Sequence, residues 1–163
     1  MMVDFEESKM RFSFPEEDLY RIEKSPLLAA VELKACECIV KKGGDIYLVE
    51  AKSSSPRQDN SPERFREYIG EITEKFSASI LLFNASLLRH REEPMGENLR
   101  KVDLKKANYK FFLIISGHKK EWLPPILNAL KREMRKTLKI WNIDDVAVKV
   151  INAERAQFLG IIQ

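Results

Sequence analysis

Hydrophobic positions along the chain change their spacing several times, and each change predicts an element. Phe12 and Phe14 alternate with polar residues, which predicts a short strand over 9–14. Pro15 then opens an acidic helical turn over 16–24, ended by Ser25-Pro26. Residues 29–42 form a long run rich in Val, Ile, Leu and Cys that reaches Gly43-Gly44 and resumes over 45–52. Two β-like runs divided by a glycine pair predict a hairpin. After a polar loop over 53–60, Ser61-Pro62-Glu63 supplies an N-cap hydroxyl, an N1 proline and a first-turn acid. Phe65, Ile69, Ile72, Phe76, Ile80, Phe83 and Leu87 recur at steps of three and four, so this helix should run to about Arg91 with one buried stripe.

Residues 92–107 are polar and predict a connection with little regular structure. The uninterrupted apolar run over 109–116 predicts a central strand covered on both faces. A second helix should start near 122–125 and carry Ile126, Leu127, Leu130, Met134, Leu138 and Trp141. A strand over 146–151 and a short helix over 153–159 close the chain. The order implies one α/β domain over 1–163, a mixed central sheet flanked by helices against its faces. The last strand–helix–strand unit should cross over with a right hand.

The hairpin carries the candidate chemistry. A two-residue turn at Gly43-Gly44 pairs Lys42 with Asp45, Val40 with Tyr47, Ile39 with Leu48 and Glu37 with Glu50. A four-residue loop on the same centre keeps this pairing and a three-residue loop breaks it. Side chains alternate across a strand, so Glu37, Glu50 and Lys52 would project from one face, at the edge of an apolar patch of Ile39, Ile46 and Leu48. Opposed residues hold their Cβ atoms about 4.5–5.5 Å apart, where like charges destabilise the pair. Three things could compensate: a divalent cation bound between the carboxylates, pairing with Lys52, or a retained proton on one carboxyl. The residues alone do not choose among them.

Charge and composition narrow the setting more than the function. The 28 basic residues are nearly offset by 25 acidic ones, so the net charge of +3 permits nucleic-acid binding without implying it. No apolar stretch reaches the roughly 18–20 residues of a membrane span. The acidic start, with Asp4, Glu6 and Glu7, lacks a signal-peptide apolar region, so a cytoplasmic setting and no membrane partner are expected. Cys36 and Cys38 would point the same way on a strand; two buried small hydrophobes are expected there rather than a zinc site or a disulfide.

An acid on one strand, a tight turn, then acid-x-Lys on the next resembles the PD-(D/E)XK, or restriction endonuclease-like, nuclease superfamily. The matching residues are Glu37 and then Glu50-Ala51-Lys52, followed by Ser53-Ser54, and the resemblance covers about residues 15–117. It implies an αβββαβ core with a C-terminal α-β-α extension, and Mg²⁺-dependent (or Mn²⁺-dependent) hydrolysis of phosphodiester bonds in nucleic acid, DNA in particular. By position, Glu37, Glu50 and the Ala51 carbonyl would ligate the metal, and Lys52 would orient the attacking water and stabilise developing charge. The resemblance further implies a homodimer or a place in a larger assembly. The chain departs from the family in carrying Glu where Asp is usual at 37 and in lacking a Pro-Asp pair. The family's frequent first-helix carboxylate would fall to Glu16, Glu17 or Glu23. Glu32 lies on the opposite face by parity, unless a bulge near Ala35 reverses it.

Around this site, Arg57, Arg64 and Arg66 follow Lys52 closely and could grip phosphates. Lys131, Arg132, Arg135, Lys136 and Lys139 lie mostly away from the apolar stripe of their helix and read as a solvated face. Ser53-Ser54-Ser55 has no partnered histidine in sequence, which argues against a nucleophilic serine, and His118 reads as a loop histidine. Two other readings stay open: a non-catalytic module of the same fold binding nucleic acid or another subunit, and an unrelated α/β domain with a structural ion pair.

Overall fold

A computed structural model describes residues Met1–Gln163. Its centre is a five-stranded mixed sheet in the spatial order β3 (Leu19–Tyr20), β4 (Cys38–Lys42), β5 (Asp45–Lys52), β6 (Asn108–Ile115), β7 (Val148–Asn152). The pairs β3–β4 and β4–β5 are antiparallel, whereas β5–β6 and β6–β7 are parallel. Helix α2 (Pro62–Leu88) returns the chain from β5 to β6, and α4 (Leu123–Glu133) with α5 (Arg135–Ile140) returns it from β6 to β7. The succession β4, β5, α2, β6 is the one the hydrophobic pattern predicts; the edge strand β3 is not.

The hairpin turn follows from its glycines. Gly43 takes φ +62°, the left-handed conformation that a two-residue turn demands at its first central position and that L side chains resist. The pairing fixed by that turn holds from Lys42↔Asp45 through Ile39↔Leu48 to Cys38↔Val49.

One face of the sheet is covered by helices. Ile72, Phe76, Ile80 and Phe83 of α2 are fully buried against Ile39, Leu48, Phe111 and Leu113. Each such side chain stabilises the fold by about 1.5–3 kcal/mol. The stripe of α4 and α5, Ile126, Leu130, Met134 and Leu138, enters the same core, although the backbone breaks step at Met134 (φ −79°, ψ −4°) and divides the single helix expected from sequence. The other face is not covered by long helices. A separate hairpin, β1 (Met2–Glu7) with β2 (Met10–Pro15), lies there with the short helix α6 (Ala153–Phe158), packing Phe12, Phe14 and Ala156 on Val40, Val49, Ala51 and Phe112.

Three expectations need correction. Residues 29–42 are not one strand: Ser25 caps Leu27, Pro26 stands at N1, and helix α1 (Pro26–Val31) forms instead, closed by Glu32 in the left-handed region (φ 56°). The acidic segment over 16–24 is not a helix but two 3₁₀ turns, Glu16–Asp18 and Ile22–Lys24, flanking the edge strand β3. The αβββαβ order implied by the resemblance therefore lacks its first helix. The connection over 92–107 contains the short helix α3 (Glu97–Arg100), with Leu99 buried and Met95 bridging to Tyr20. No helix is long and apolar enough to cross a membrane.

Candidate functional site

The two acids singled out by sequence are both buried, Glu50 at 0% exposure and Glu37 at 8%. They do not form a facing pair in the ladder. The regular pairing ends at Cys38↔Val49, and the Glu37 N–H donates to the same Val49 carbonyl at 2.9 Å. Two successive residues set against one is a β-bulge, and it breaks the alternation of side chains. Cys36 accordingly enters the core under α2 while Cys38 enters the opposite one, so the two cysteines point apart rather than together. Both thiols are free.

Each acid finds its own surroundings. Glu50 turns toward α2, where Lys75 donates to its Oε2 at 2.6 Å; Lys52 stands 3.9 Å from the same oxygen. Glu71, one turn before Lys75, comes within 3.5 Å of Lys52 and 3.7 Å of Lys75, closing a network of two acids and two bases. Burial raises the Glu50 pKa, and the two ammonium groups pull against that rise. Burial opposes the charge on Lys75, but attraction to Glu50 outweighs it and its pKa is raised. Lys75 is the cation the sequence reading missed. Its i,i+4 spacing from Glu71 was legible, but not the reach from α2 onto the sheet.

Glu37 turns instead toward the N-terminal hairpin. Carboxylate oxygens of Glu7, Glu23 and Glu37 lie within 4.8 Å of one another. Arg21 neutralises part of this charge, at 2.8 Å from Glu23 and 3.7 Å from Glu7. Burial first, then a hydrogen bond shared with Glu23 and the charges of Glu50, Glu23 and Glu7, push the Glu37 pKa up to about 9. Burial would raise Glu23 as well, but the proton offered by Glu37 and the Arg21 guanidinium win, and its pKa is lowered. The two carboxyls are thus driven apart, Glu37 toward its protonated form and Glu23 toward its ionised form. Of the three compensations open to the acids, ion pairing is present at Glu50, and the raised pKa of Glu37 favours proton retention there.

The remaining nominated residues divide in the same way. The Ala51 carbonyl accepts a hydrogen bond from Ser8 Oγ at 3.0 Å, at the turn of the N-terminal hairpin. Of the acids proposed to stand in for a first-helix carboxylate, Glu23 reaches Glu37; Glu16 and Glu17 are exposed. Glu32 is exposed where α1 ends. Arg64 and Arg66 are exposed on the first turns of α2. Arg57 lies over the Trp122 ring, 5.4 Å from its centroid.

Beyond Lys52 the parallel pairing of β5 and β6 continues into their loops. Ser116 N–H donates to the Lys52 carbonyl and Gly117 N–H to that of Ser53, each at 2.9 Å. A side chain at Gly117 would place its Cβ 2.5 Å from the Ser53 carbonyl oxygen, so only glycine allows this approach. The result brings Ser55 Oγ within 2.7 Å of His118 Nε2, a partnership that sequence spacing did not reveal. Burial lowers the His118 pKa, with a Gly117 backbone hydrogen bond opposing and the Arg57 charge assisting.

A scan against protein-family models, a search of curated proteins and a search of solved structures each found no match to this chain.

Proposed function

We propose that this chain is a restriction endonuclease-like domain that hydrolyses phosphodiester bonds of nucleic acid, DNA in particular, with Mg²⁺ or Mn²⁺ as cofactor. One observation carries the reading: Glu37, in the bulge just before β4, and Glu50, on β5 beside Lys52, are both buried, and each keeps one carboxylate oxygen, Oε2 and Oε1 respectively, out of water and without a hydrogen-bond partner. Burying a polar oxygen unsatisfied is costly, and a ligand that coordinates oxygen would remove the cost. The donor set fits a hard divalent cation, since it is all oxygen and rich in carboxylate. Glu7, Glu23 and Glu37 bring carboxylate oxygens within 4.8 Å of one another, and Glu50 with the Ala51 carbonyl would complete the site from β5.

A bound divalent cation would supply a water of lowered pKa and neutralise phosphate oxygens. The chain's own contribution is positional. Lys52, partly exposed at the end of β5, would face the phosphate and stabilise the charge that develops as water oxygen bonds to phosphorus and the ester oxygen departs with a proton. Glu37 would exchange its proton for the cation.

The test is divalent-metal binding and cleavage together. Mn²⁺ should raise the melting temperature of the native protein, and Glu37→Gln should abolish the rise. Glu50→Gln set against Glu7→Gln tells which flank completes the site. If neither Mg²⁺ nor Mn²⁺ shifts the melting temperature or supports cleavage of any nucleic acid, the active enzyme is ruled out.

A second reading is favoured by the Lys75 contact with Glu50: an ion pair inside the fold, on a non-catalytic module that binds nucleic acid. In that case Lys52→Ala leaves binding intact, whereas charge reversal at Arg64 or Arg132 weakens it in a salt-dependent way.

A further inference from the structure

Past Lys52, where β5 and β6 end, a cavity of about 570 Å³ opens between the loop after β5 and the start of α4. Ser55 lies three positions beyond Lys52, a reach of roughly 10–11 Å at most. Phe65, Pro125 and Ile126 make part of its wall, and the indole of Trp122, 38% exposed, stands at its edge. Its position at the carboxyl ends of parallel strands is where open α/β sheets place ligands.

The chemistry of the lining is selective. Two cations attend the indole, Arg57 Cζ and Lys119 Nζ, each 5.4 Å from the ring centroid, and His118 meets it edge-on at 5.4 Å. Asp59 and Glu121 also line the cavity, so the charge at the rim is close to balanced. A surface built for a duplex would carry excess positive charge along a stripe, because phosphate contacts dominate that binding. Here the largest available term is the aromatic face, which a base inside a duplex cannot reach and an unpaired base can. The volume suits one small ligand rather than a rod.

We propose that this cavity takes one unpaired nucleotide of a single-stranded nucleic acid, its base stacked on Trp122 and its phosphate held by Arg57 and Lys119. The two cations leave the indole face for the phosphate, and the base takes their place. His118 and Ser55, held together at 2.7 Å, line the pocket beside the base. The inference rests on the nuclease reading only for the view that the strand is a substrate; the binding itself needs no metal.

The experiment is tryptophan fluorescence with a short oligothymidylate in EDTA. The chain has two tryptophans, so Trp141→Phe leaves Trp122 as the sole reporter. Expected are quenching by the single strand, binding weaker by about 10-fold in Trp122→Ala, and affinity largely kept in Trp122→Phe. Arg57→Gln, at an exposed position, should lower affinity and reduce the salt slope by about one contact. Binding of a hairpin duplex as tight as the single strand, or single-strand affinity unchanged in folded Trp122→Ala, overturns the proposal. Trp122-dependent binding without cleavage in Mg²⁺ or Mn²⁺ supports this pocket while removing the nuclease reading. Cleavage indifferent to Trp122→Ala does the reverse.

Discussion

Lys75 of α2 places its ammonium 2.6 Å from a Glu50 oxygen in the centre of the sheet, so the longest helix is tied to β5 by a charge pair as well as by its apolar stripe. A buried pair of this kind adds little net stability while intact but leaves an uncompensated charge when halved. Lys75→Met should therefore destabilise the fold by about 3–5 kcal/mol in chemical denaturation. Glu50→Gln combined with Lys75→Met should cost less than Lys75→Met alone. Additive losses would mean that Lys52 alone neutralises Glu50.

Stability should depend on pH through Glu37. Its folded pKa of about 9 lies above the usual 4.5, so the folded state keeps a proton that the unfolded state has released. Between those two values stability falls as pH rises, because the folded state binds more protons. In EDTA, Glu37→Gln should gain on the native protein steadily from about pH 5 to about pH 9. Melting curves that stay parallel across that range would show that Glu37 is ionised in the fold.

The same proton should appear when metal binds. A carboxyl that is protonated near neutrality must release its proton to become a ligand. Mn²⁺ added at neutral pH in weak buffer should acidify the solution, and its affinity should climb with pH toward the Glu37 pKa. Binding without acidification would remove Glu37 from the ligand set.

Much of the fold was legible because local rules agree with one another along β4, β5, α2 and β6. The Gly43-Gly44 turn dictated the hairpin register for five successive pairs, and the three-four spacing of Phe65 through Phe83 marked the buried face of α2. The misses share a cause. Over residues 26–35, a capped proline-initiated helix competed with an apolar run that also reads as strand, and the cap prevailed. The N-terminal strand β1 has too little apolar contrast to be seen alone, with Phe5 set between Asp4 and Glu6. At the site, sequence could place Glu37 and Glu50 near each other but not foresee the bulge, since nothing in Cys36-Glu37-Cys38 signals it. Lys75, Glu7 and the Ser55–His118 contact come from distant segments, which no spacing rule joins.

The cysteines offer a direct check on that bulge. Cys36 and Cys38 are both 0% exposed, on opposite faces, and burial pushes the Cys36 thiol up to about 12. A thiol reagent should label neither cysteine in the native protein and both after denaturation. Native labelling of one cysteine alone would mean that this segment opens locally.

Gly117→Ala should cost about 1–3 kcal/mol, since the added carbon meets the Ser53 carbonyl at 2.5 Å and the two loops must separate. The same change should loosen the hold of Ser55 on His118, which the imidazole resonances would report as a pKa rising back toward the ordinary histidine value. An unchanged resonance would detach the histidine from this loop.

The extra residue at Glu37 works as a slip joint. A one-residue insertion or deletion before it should leave the hairpin register unchanged, because regular pairing begins only at Cys38↔Val49. After it, Glu50-Ala51-Lys52 stays geared to β6 rung by rung. The direction in which one carboxyl points can therefore be re-set by a small upstream change, and a cation site could be gained or lost here without rebuilding the sheet.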